Sequence, residues 1–178
     1  MTEIKNLKFK IQNWRKGFTL IELIIVIGIL GILATAALAI LNPFAQFQKA
    51  DDAKRKADLS QIQKALESYY QDYQRYPAQN APAVYKIQDS TLGLIDWGAK
   101  WGTYMNVVPK DPVATDHYVY YSPDGQSYCL YASLERNSDP ALCKPGDPKT
   151  KCTTAPATGC GNGSIACNFG VCSPNILP

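Results

Sequence analysis

The residues that decide the fold are Lys16-Gly17-Phe18-Thr19-Leu20-Ile21-Glu22, which open an apolar run that continues to Leu41. From Phe18 to Leu41 the run holds 24 residues, and Glu22 is the one ionisable residue among them. A helix of that length rises about 36 Å, whereas the hydrocarbon core of a bilayer is about 30 Å thick. The run therefore predicts a helix that can cross a membrane. Glu22 lies near one end of this helix, where its carboxylate needs a partner.

The segment before the apolar run is basic. Residues 1–17 carry five Lys or Arg residues against one acid, so the positive-inside rule places them in the cytoplasm and places everything after Leu41 outside it. All six cysteines fall in the part expected outside, where disulfides form and persist. They are Cys129, Cys143, Cys152, Cys160, Cys167 and Cys172.

An ordinary secretory signal peptide does not fit this N-terminus. Its apolar region is usually about 7 to 15 residues long, shorter than the run found here. The small-x-small sequence Ala34-Thr35-Ala36 lies inside the apolar run, so cleavage there would remove the membrane segment. Cleavage between Gly17 and Phe18 would instead leave the helix on the mature chain.

The stretch Lys16-Gly17-Phe18-Thr19-Leu20-Ile21-Glu22 resembles the class III signal of type IV prepilins and type II secretion pseudopilins. The resemblance implies that a membrane aspartyl peptidase cuts after Gly17 and methylates the new N-terminus, Phe18. It also implies that Glu22 pairs with the N-terminal amine of a neighbouring subunit. The partners implied are this prepilin peptidase and methyltransferase, the inner-membrane assembly machinery, the lipid bilayer before assembly, and further copies of the chain.

A second, amphipathic helix is expected after Pro43. Its apolar residues recur every three or four positions, which predicts one buried face. They are Leu59, Ile62, Leu66, Tyr69, Tyr73 and Tyr76. We expect helix from Phe18 to Tyr76 with a bend at Pro43, because proline lacks a backbone donor. The charged residues 51–58 are interpreted as a solvated face stabilised by i,i+4 pairs, Asp51 with Arg55 and Asp52 with Lys56.

The middle of the chain predicts a small β domain. Residues 78–96 show no long period and are interpreted as a loop with room for a short helix. The aromatic stretch Trp97–Tyr104 is interpreted as core filling, since a small domain needs large side chains. Residues 117–121 and 127–132 predict an antiparallel hairpin closed by a turn at 122–125. The order of these features over residues 97–134 resembles major pseudopilins. The fold class expected is α+β, a long N-terminal helix packed on a small antiparallel β-sheet.

The tail, residues 138–178, is rich in Cys, Pro and Gly and holds little aliphatic material, so it needs disulfides to be ordered. We expect a disulfide-stabilised surface appendage. Pairing of Cys129 with Cys143 would tie down the loop between them, and such a terminal disulfide loop resembles type IV pilins. The remaining four cysteines leave three pairings open.

No metal or other cofactor is expected. Zinc is disfavoured because no Cys-x-x-Cys occurs and the single histidine, His117, lies far from the cysteine cluster in sequence. Calcium needs six to eight oxygen ligands, and Asp139 and Asp147 lie in no loop dense in carboxylates. The chain also lacks a nucleophile elbow and a phosphate loop. It is therefore expected to be the substrate of an enzyme, with no catalytic residue of its own.

The sequence thus predicts the structural subunit of a type IV pilus-like filament, first anchored in the cytoplasmic membrane and later extracytoplasmic. The expected parts are a removed leader (1–17), a transmembrane and assembly helix (18–43), a globular domain (44–137) and the tail (138–178). One alternative is a major pseudopilin-like subunit of a type II secretion system. The other is a single-pass anchored binding domain that never polymerises and uses its tail for recognition. No basic patch predicts nucleic-acid binding.

Overall fold

The structure is a computed structural model that describes residues 17–80, 85–147, 149–157, 159–161 and 165–174. The basic leader before Gly17 lies outside the described residues, so its expected cytoplasmic position stays a prediction. The chain divides into two compact units, Met1–Pro43 and Phe44–Pro178.

The first unit contains helix α1, Leu20–Leu41. The helix begins at Leu20 because Thr19 is extended and caps it. It ends at Leu41 because Asn42 adopts a left-handed conformation, with φ of 40°, and is followed by a proline. A continuous helix with a bend at Pro43 was expected; the structure instead has two helices separated at Asn42, the residue before that proline. The expected start at Phe18 is corrected to Leu20.

The second unit opens with helix α2, Pro43–Tyr73. Proline suits the first helical position, where no amide hydrogen is needed. The predicted apolar face is confirmed from Leu59 to Tyr69, whose side chains are buried. The helix ends three residues before the expected Tyr76, because Gln74 has a φ of 55°.

A three-stranded antiparallel sheet follows α2, in the order β1-β2-β3. Its strands are β1 (Ala78–Gln79), β2 (Ile87–Asp89) and β3 (Gly93–Ile95). The interpretation of residues 78–96 as a loop was therefore wrong. Strands of two or three residues are too short to display the alternation by which a strand is recognised in a sequence.

The second sheet is also antiparallel and has the order β4-β5-β6. Its strands are β4 (Val119–Tyr121), β5 (Cys129–Ala132) and β6 (Phe169–Cys172). The β4–β5 pairing confirms the predicted hairpin. Strand β6 comes from the tail and pairs with all four residues of β5. The tail was predicted to be a disulfide-stabilised surface appendage. Its disulfides are present, but the appendage interpretation was wrong for Phe169–Cys172, because this strand completes the sheet of the domain.

Three disulfides join the six cysteines: Cys129–Cys172, Cys143–Cys152 and Cys160–Cys167. The expected Cys129–Cys143 pairing was wrong. Cys129 and Cys172 face each other in the register of β5 and β6, and this register brings their Cα atoms to 4.0 Å. Cys143 instead pairs within the loop that leads towards β6.

The aromatic stretch fills the core as predicted. Trp101 is 0% exposed, and its ring centroid lies 5.7 Å from that of Tyr69 on α2 and 5.4 Å from that of Tyr104. The indole Nε1 of Trp101 donates a hydrogen bond of 2.9 Å to Asp89. This bond satisfies the polar atom of an otherwise apolar buried ring.

The charged run on α2 does not form the solvated face that was predicted. Arg55 is fully buried and donates hydrogen bonds to Asp52, Asp111 and Glu135. Burial lowers the pKa of Arg55, but its bonds to Asp111 and Glu135 outweigh that effect and raise the pKa above its usual value. Arg55 therefore stays charged inside the domain.

The expected i,i+4 pairs are also absent among the described residues. Asp52 pairs with Arg55, three positions on, and Lys56 pairs with Asp139, far along the chain. Asp52 also accepts bonds from the backbone N–H groups of Glu135 and Arg136. The charged residues of α2 thus fasten the segment that follows β5 to the helix.

Candidate processing and assembly site

The predicted cleavage junction lies in exposed, non-helical chain directly before α1. Gly17, Phe18 and Thr19 are all exposed and precede the first helical residue. A Cβ atom added to Gly17 would meet no atom within 4 Å. The packing of this chain therefore places no demand for glycine at position 17, and the junction is sterically open.

Glu22 takes part in a capping box with Thr19. The Glu22 backbone N–H donates to Thr19 Oγ1 at 3.3 Å, and the Thr19 backbone N–H donates to Glu22 Oε2 at 2.9 Å. The Thr19 hydroxyl also donates to Glu22 Oε2 at 2.7 Å. These bonds satisfy N–H groups that the first turn of a helix leaves without partners, and an acid there also complements the helix dipole.

The capping box gives the Glu22 carboxylate a hydrogen-bond partner near the end of the apolar helix. In the sequence its carboxylate has no partner, whereas in the structure it has one within its own chain. Both bonds from Thr19 end on Oε2, so Oε1 takes no part in the capping box. The carboxylate can thus hold the helix start and still offer one oxygen to a second donor. The Thr-x-x-Glu spacing that signals a capping box was present in the sequence and was overlooked.

Helix α1 is apolar on all sides. Within the described part of the chain, one helix is long and apolar enough to cross a membrane, over Leu20–Leu38, and none of that window is buried. Length and composition alone support this statement. A helix that is apolar all round needs lipid or other helices around it.

The tail shows no metal centre where its residues are described. No group of three or more His, Cys, Asp or Glu residues that could hold a metal occurs among the described residues. Burial raises the pKa of Asp139, but hydrogen bonds from Lys56, the Ala141 N–H and Arg136 outweigh burial and lower it to about 2. His117, the single histidine, donates its backbone N–H to the Cys160 carbonyl at 2.9 Å.

Two family models match the chain. The model described as "Prokaryotic N-terminal methylation motif" matches residues 15–38, which include the cleavage junction and most of α1. The model described as "Type II secretion system (T2SS), protein G" matches residues 42–135. The second match covers α2 and both sheets except β6.

Curated relatives agree with the second model. The chain is 32% identical over 109 residues to type II secretion system core protein G of Escherichia coli K12, covering 61% of this chain and 73% of that protein. It is 33% identical over 105 residues to the Klebsiella pneumoniae protein of the same name, covering 58% and 72%. The Aeromonas hydrophila protein of that name is 34% identical over 98 residues, covering 55% and 67%. No solved structure matches the chain.

Proposed function

Because the chain belongs to the type II secretion system protein G family, we propose that it is a non-catalytic structural subunit that polymerises into a pilus-like filament. The observation that carries the proposal is the arrangement at the start of α1. An exposed Gly17–Phe18 junction is followed by Glu22, which forms a capping box with Thr19, and by an apolar helix with exposed side chains.

Processing is the first step of this proposal. A prepilin peptidase cuts after Gly17, and Phe18 becomes the N-methylated first residue. The exposed, non-helical chain before Leu20 supports cleavage at this junction, because a helix would first have to unfold before a peptide bond inside it could be cut. The match to the N-terminal methylation motif over residues 15–38 supports both reactions.

Assembly is the second step. Helix α1 leaves the bilayer and packs against the same helices of other copies. Lipid tails and leucine side chains are about equally apolar, so this exchange gains little from the hydrophobic effect and needs a specific contact to set the register. The Glu22 carboxylate supplies that contact by accepting a bond from the cationic amine of Phe18 in a neighbouring subunit. Neutralisation of the two charges lowers the penalty of holding either one among apolar helices.

The proposed topology places residues 1–17 in the cytoplasm and the domain from residue 44 outside it. The basic leader supports this orientation. The three disulfides of the domain support it as well, since disulfides persist in an oxidising compartment.

Within the family of pilus-like filaments, the relatives favour a secretion pseudopilus over a surface pilus. All three relatives named above carry the name type II secretion system core protein G. Deletion of this chain should then block release of secreted enzymes while leaving surface fibres unchanged. Loss of surface fibres with normal secretion would assign it to a pilus.

Variants at Glu22 and Thr19 test the assembly step. Glu22→Gln keeps an amide that can close the capping box and removes the charge, whereas Thr19→Ala removes the cap and keeps the charge. We expect Glu22→Gln to insert in the membrane but not to assemble, and Thr19→Ala to assemble. Normal filaments from Glu22→Gln would contradict the pairing of Glu22 with the Phe18 amine, whereas a wild-type chain that inserts but never forms filaments would support the anchored binding domain.

Mass spectrometry of the mature protein tests the processing step. The expected mass is that of residues 18–178 plus one methyl group and minus six hydrogen atoms for three disulfides. Retention of the leader would contradict cleavage after Gly17. An unmethylated mass would contradict modification of Phe18.

A further inference from the structure

The start of α2 carries an apolar surface that the described residues of its own domain leave exposed. Phe44 and Phe47 are 67% and 69% exposed, and together with Asp51 they lie three and four positions apart on one side of the helix. The same side continues into the buried face at Arg55 and Leu59. The side of α2 that faces the core is thus exposed in the first turns of the helix and becomes covered by the domain further along. We call Phe44, Phe47 and Asp51 the overhang.

A second exposed apolar surface lies at the edge of the first sheet. It is a cleft of about 410 Å³ lined by Leu92, Leu94, Ile95, Ala99, Lys100 and Gly102. Leu92 and Leu94 are 53% and 47% exposed, and Lys100 is the one charged residue in the lining. The volume lies within the range of pockets that enclose a small molecule, so the cleft admits an aromatic ring.

The two surfaces carry opposite charges that nothing in the described chain neutralises. Asp51 is the one carboxylate among the described residues without a hydrogen bond or ion pair, since the others bond to side chains or backbone within the chain. Lys100 likewise has no partner among the residues that the structure describes. A contact that pairs them would satisfy both charges.

We propose that the overhang of one copy docks into the cleft of a second copy, with Phe44 and Phe47 against Leu92 and Leu94 and with Asp51 paired to Lys100. The proposal deepens the proposed function, because it names a contact between domains of neighbouring subunits in the polymer. The overhang and the cleft are different surfaces of one chain, so the contact joins subunits head to tail. Contacts of that type generate a filament when the rotation between copies does not close a ring.

Lipid is a weaker candidate for the occupant of the overhang. Phenylalanine rings near a membrane segment could contact a bilayer, but Asp51 lies on the same side of the helix and opposes insertion there. A second copy offers an apolar surface and a cation together. Assembly through α1 also raises the local concentration of the cleft, which favours a contact too weak to form between free subunits.

A charge exchange in the full-length protein tests the pairing. Asp51→Lys and Lys100→Asp each place like charges together, and each should lower the assembled fraction at least about tenfold. The double variant restores opposite charges and should return to within about twofold of wild type. Lys64→Asp is the matched control, because Lys64 is exposed on the opposite face of α2 and has no partner among the described residues. It should assemble normally.

Photocrosslinking tests the geometry without a change of charge. A photoreactive benzoyl-phenylalanine at position 47 should link filament subunits, and the linked peptide of the second subunit should contain residues 92–102. The same probe at position 64, which is exposed on the opposite face of α2, should not link to that peptide.

Either of two results would overturn the proposal. One is a folded double variant that assembles as poorly as the single variants. The other is a probe at position 47 that links to lipid or to a segment other than residues 92–102. In either case the proposed function would still hold if the wild type forms filaments and Glu22→Gln does not. A wild-type chain that never polymerises would contradict both the docking proposal and the proposed function.

Discussion

Arg55 and Asp111 form a two-bond ion pair inside the domain. Nε of Arg55 donates to Oδ2 of Asp111 at 2.9 Å, and Nη2 donates to Oδ1 at 3.0 Å. The two side chains are 0% and 1% exposed. This fork joins α2 to the loop between the two sheets, and Glu135 extends it to the segment after β5. A single guanidinium therefore holds three parts of the domain together.

Removal of that guanidinium should destabilise the domain strongly. Arg55→Met leaves the carboxylates of Asp52 and Asp111 buried without their main cation, which typically costs about 3 to 5 kcal/mol. Chemical denaturation of the purified full-length protein would measure the loss in the free energy of unfolding. Lys54→Met is the control, since Lys54 is exposed and unpaired among the described residues and should change the free energy of unfolding by less than about 0.5 kcal/mol. An Arg55→Met protein as stable as this control would contradict the structural role.

Two of the three disulfides should differ clearly in their contributions to stability. Cys129–Cys172 closes a separation of 43 residues and Cys143–Cys152 one of 9. In the chain-entropy model these loops correspond to about 4 and about 2.5 kcal/mol. Replacement of both members of each pair by alanine, followed by urea denaturation, would give the order. We expect the Cys129–Cys172 variant to be the less stable one, because it also loses the covalent tie of β6 to β5. Equal stabilities would mean that β6 stays paired by its hydrogen bonds alone.

Sequence patterns predicted the parts of the fold that depend on local order. The apolar run gave α1, the three-and-four spacing gave the buried face of α2, and the turn at residues 122–125 gave the β4–β5 hairpin. Each of these signals is carried by residues within a few positions of one another. The capping box of Thr19 and Glu22 was equally local and could have been found by its spacing.

The failures in the tail and in the charged run of α2 have a different cause, since both depend on residues far apart in the chain. Strand β6 is recognisable only through its register with β5, and Cys172 meets Cys129 through that same register. Arg55 is buried because Asp111 and Glu135 arrive from segments 56 and 80 residues away. The i,i+4 spacing on a helix had instead predicted that Arg55 pairs with a neighbour on α2. The charges of these residues therefore did not indicate whether their side chains are exposed or buried.

Removal of divalent metal should leave the stability of the domain unchanged. The two carboxylate oxygens of Asp139 lie 2.6 and 2.7 Å from Lys56 Nζ, and Arg136 Nη2 lies 2.7 Å from one of them. These cations occupy the positions from which the carboxylate would bind a metal. We expect a chelator or added calcium to move the midpoint of thermal unfolding by less than about 1 °C. A clear rise with calcium would show that other oxygen ligands assemble a site.

Acid should destabilise the domain through Asp139. Its pKa is lowered to about 2 in the folded chain, because the bonds from Lys56, Ala141 and Arg136 outweigh burial. The usual value of about 3.9 applies when the chain is unfolded. A lowered folded pKa means that the stabilisation is present above about pH 4 and is lost as the pH falls towards about 2. The contribution is on the order of 2 kcal/mol, since a tenfold change in an acid dissociation constant corresponds to about 1.4 kcal/mol.

Urea denaturation of the wild type and of Asp139→Asn between neutral pH and about pH 2 would measure this contribution. The variant should be less stable at neutral pH, and the difference between the two proteins should shrink as the pH falls from about 4 to about 2, because protonation makes the wild-type side chain neutral as well. Ser138→Ala changes the same loop without removing a charge, so its difference from wild type should stay constant over that range. A constant difference for Asp139→Asn would show that the carboxylate contributes through shape and neutral hydrogen bonds, and that its charge does not fasten the loop to α2.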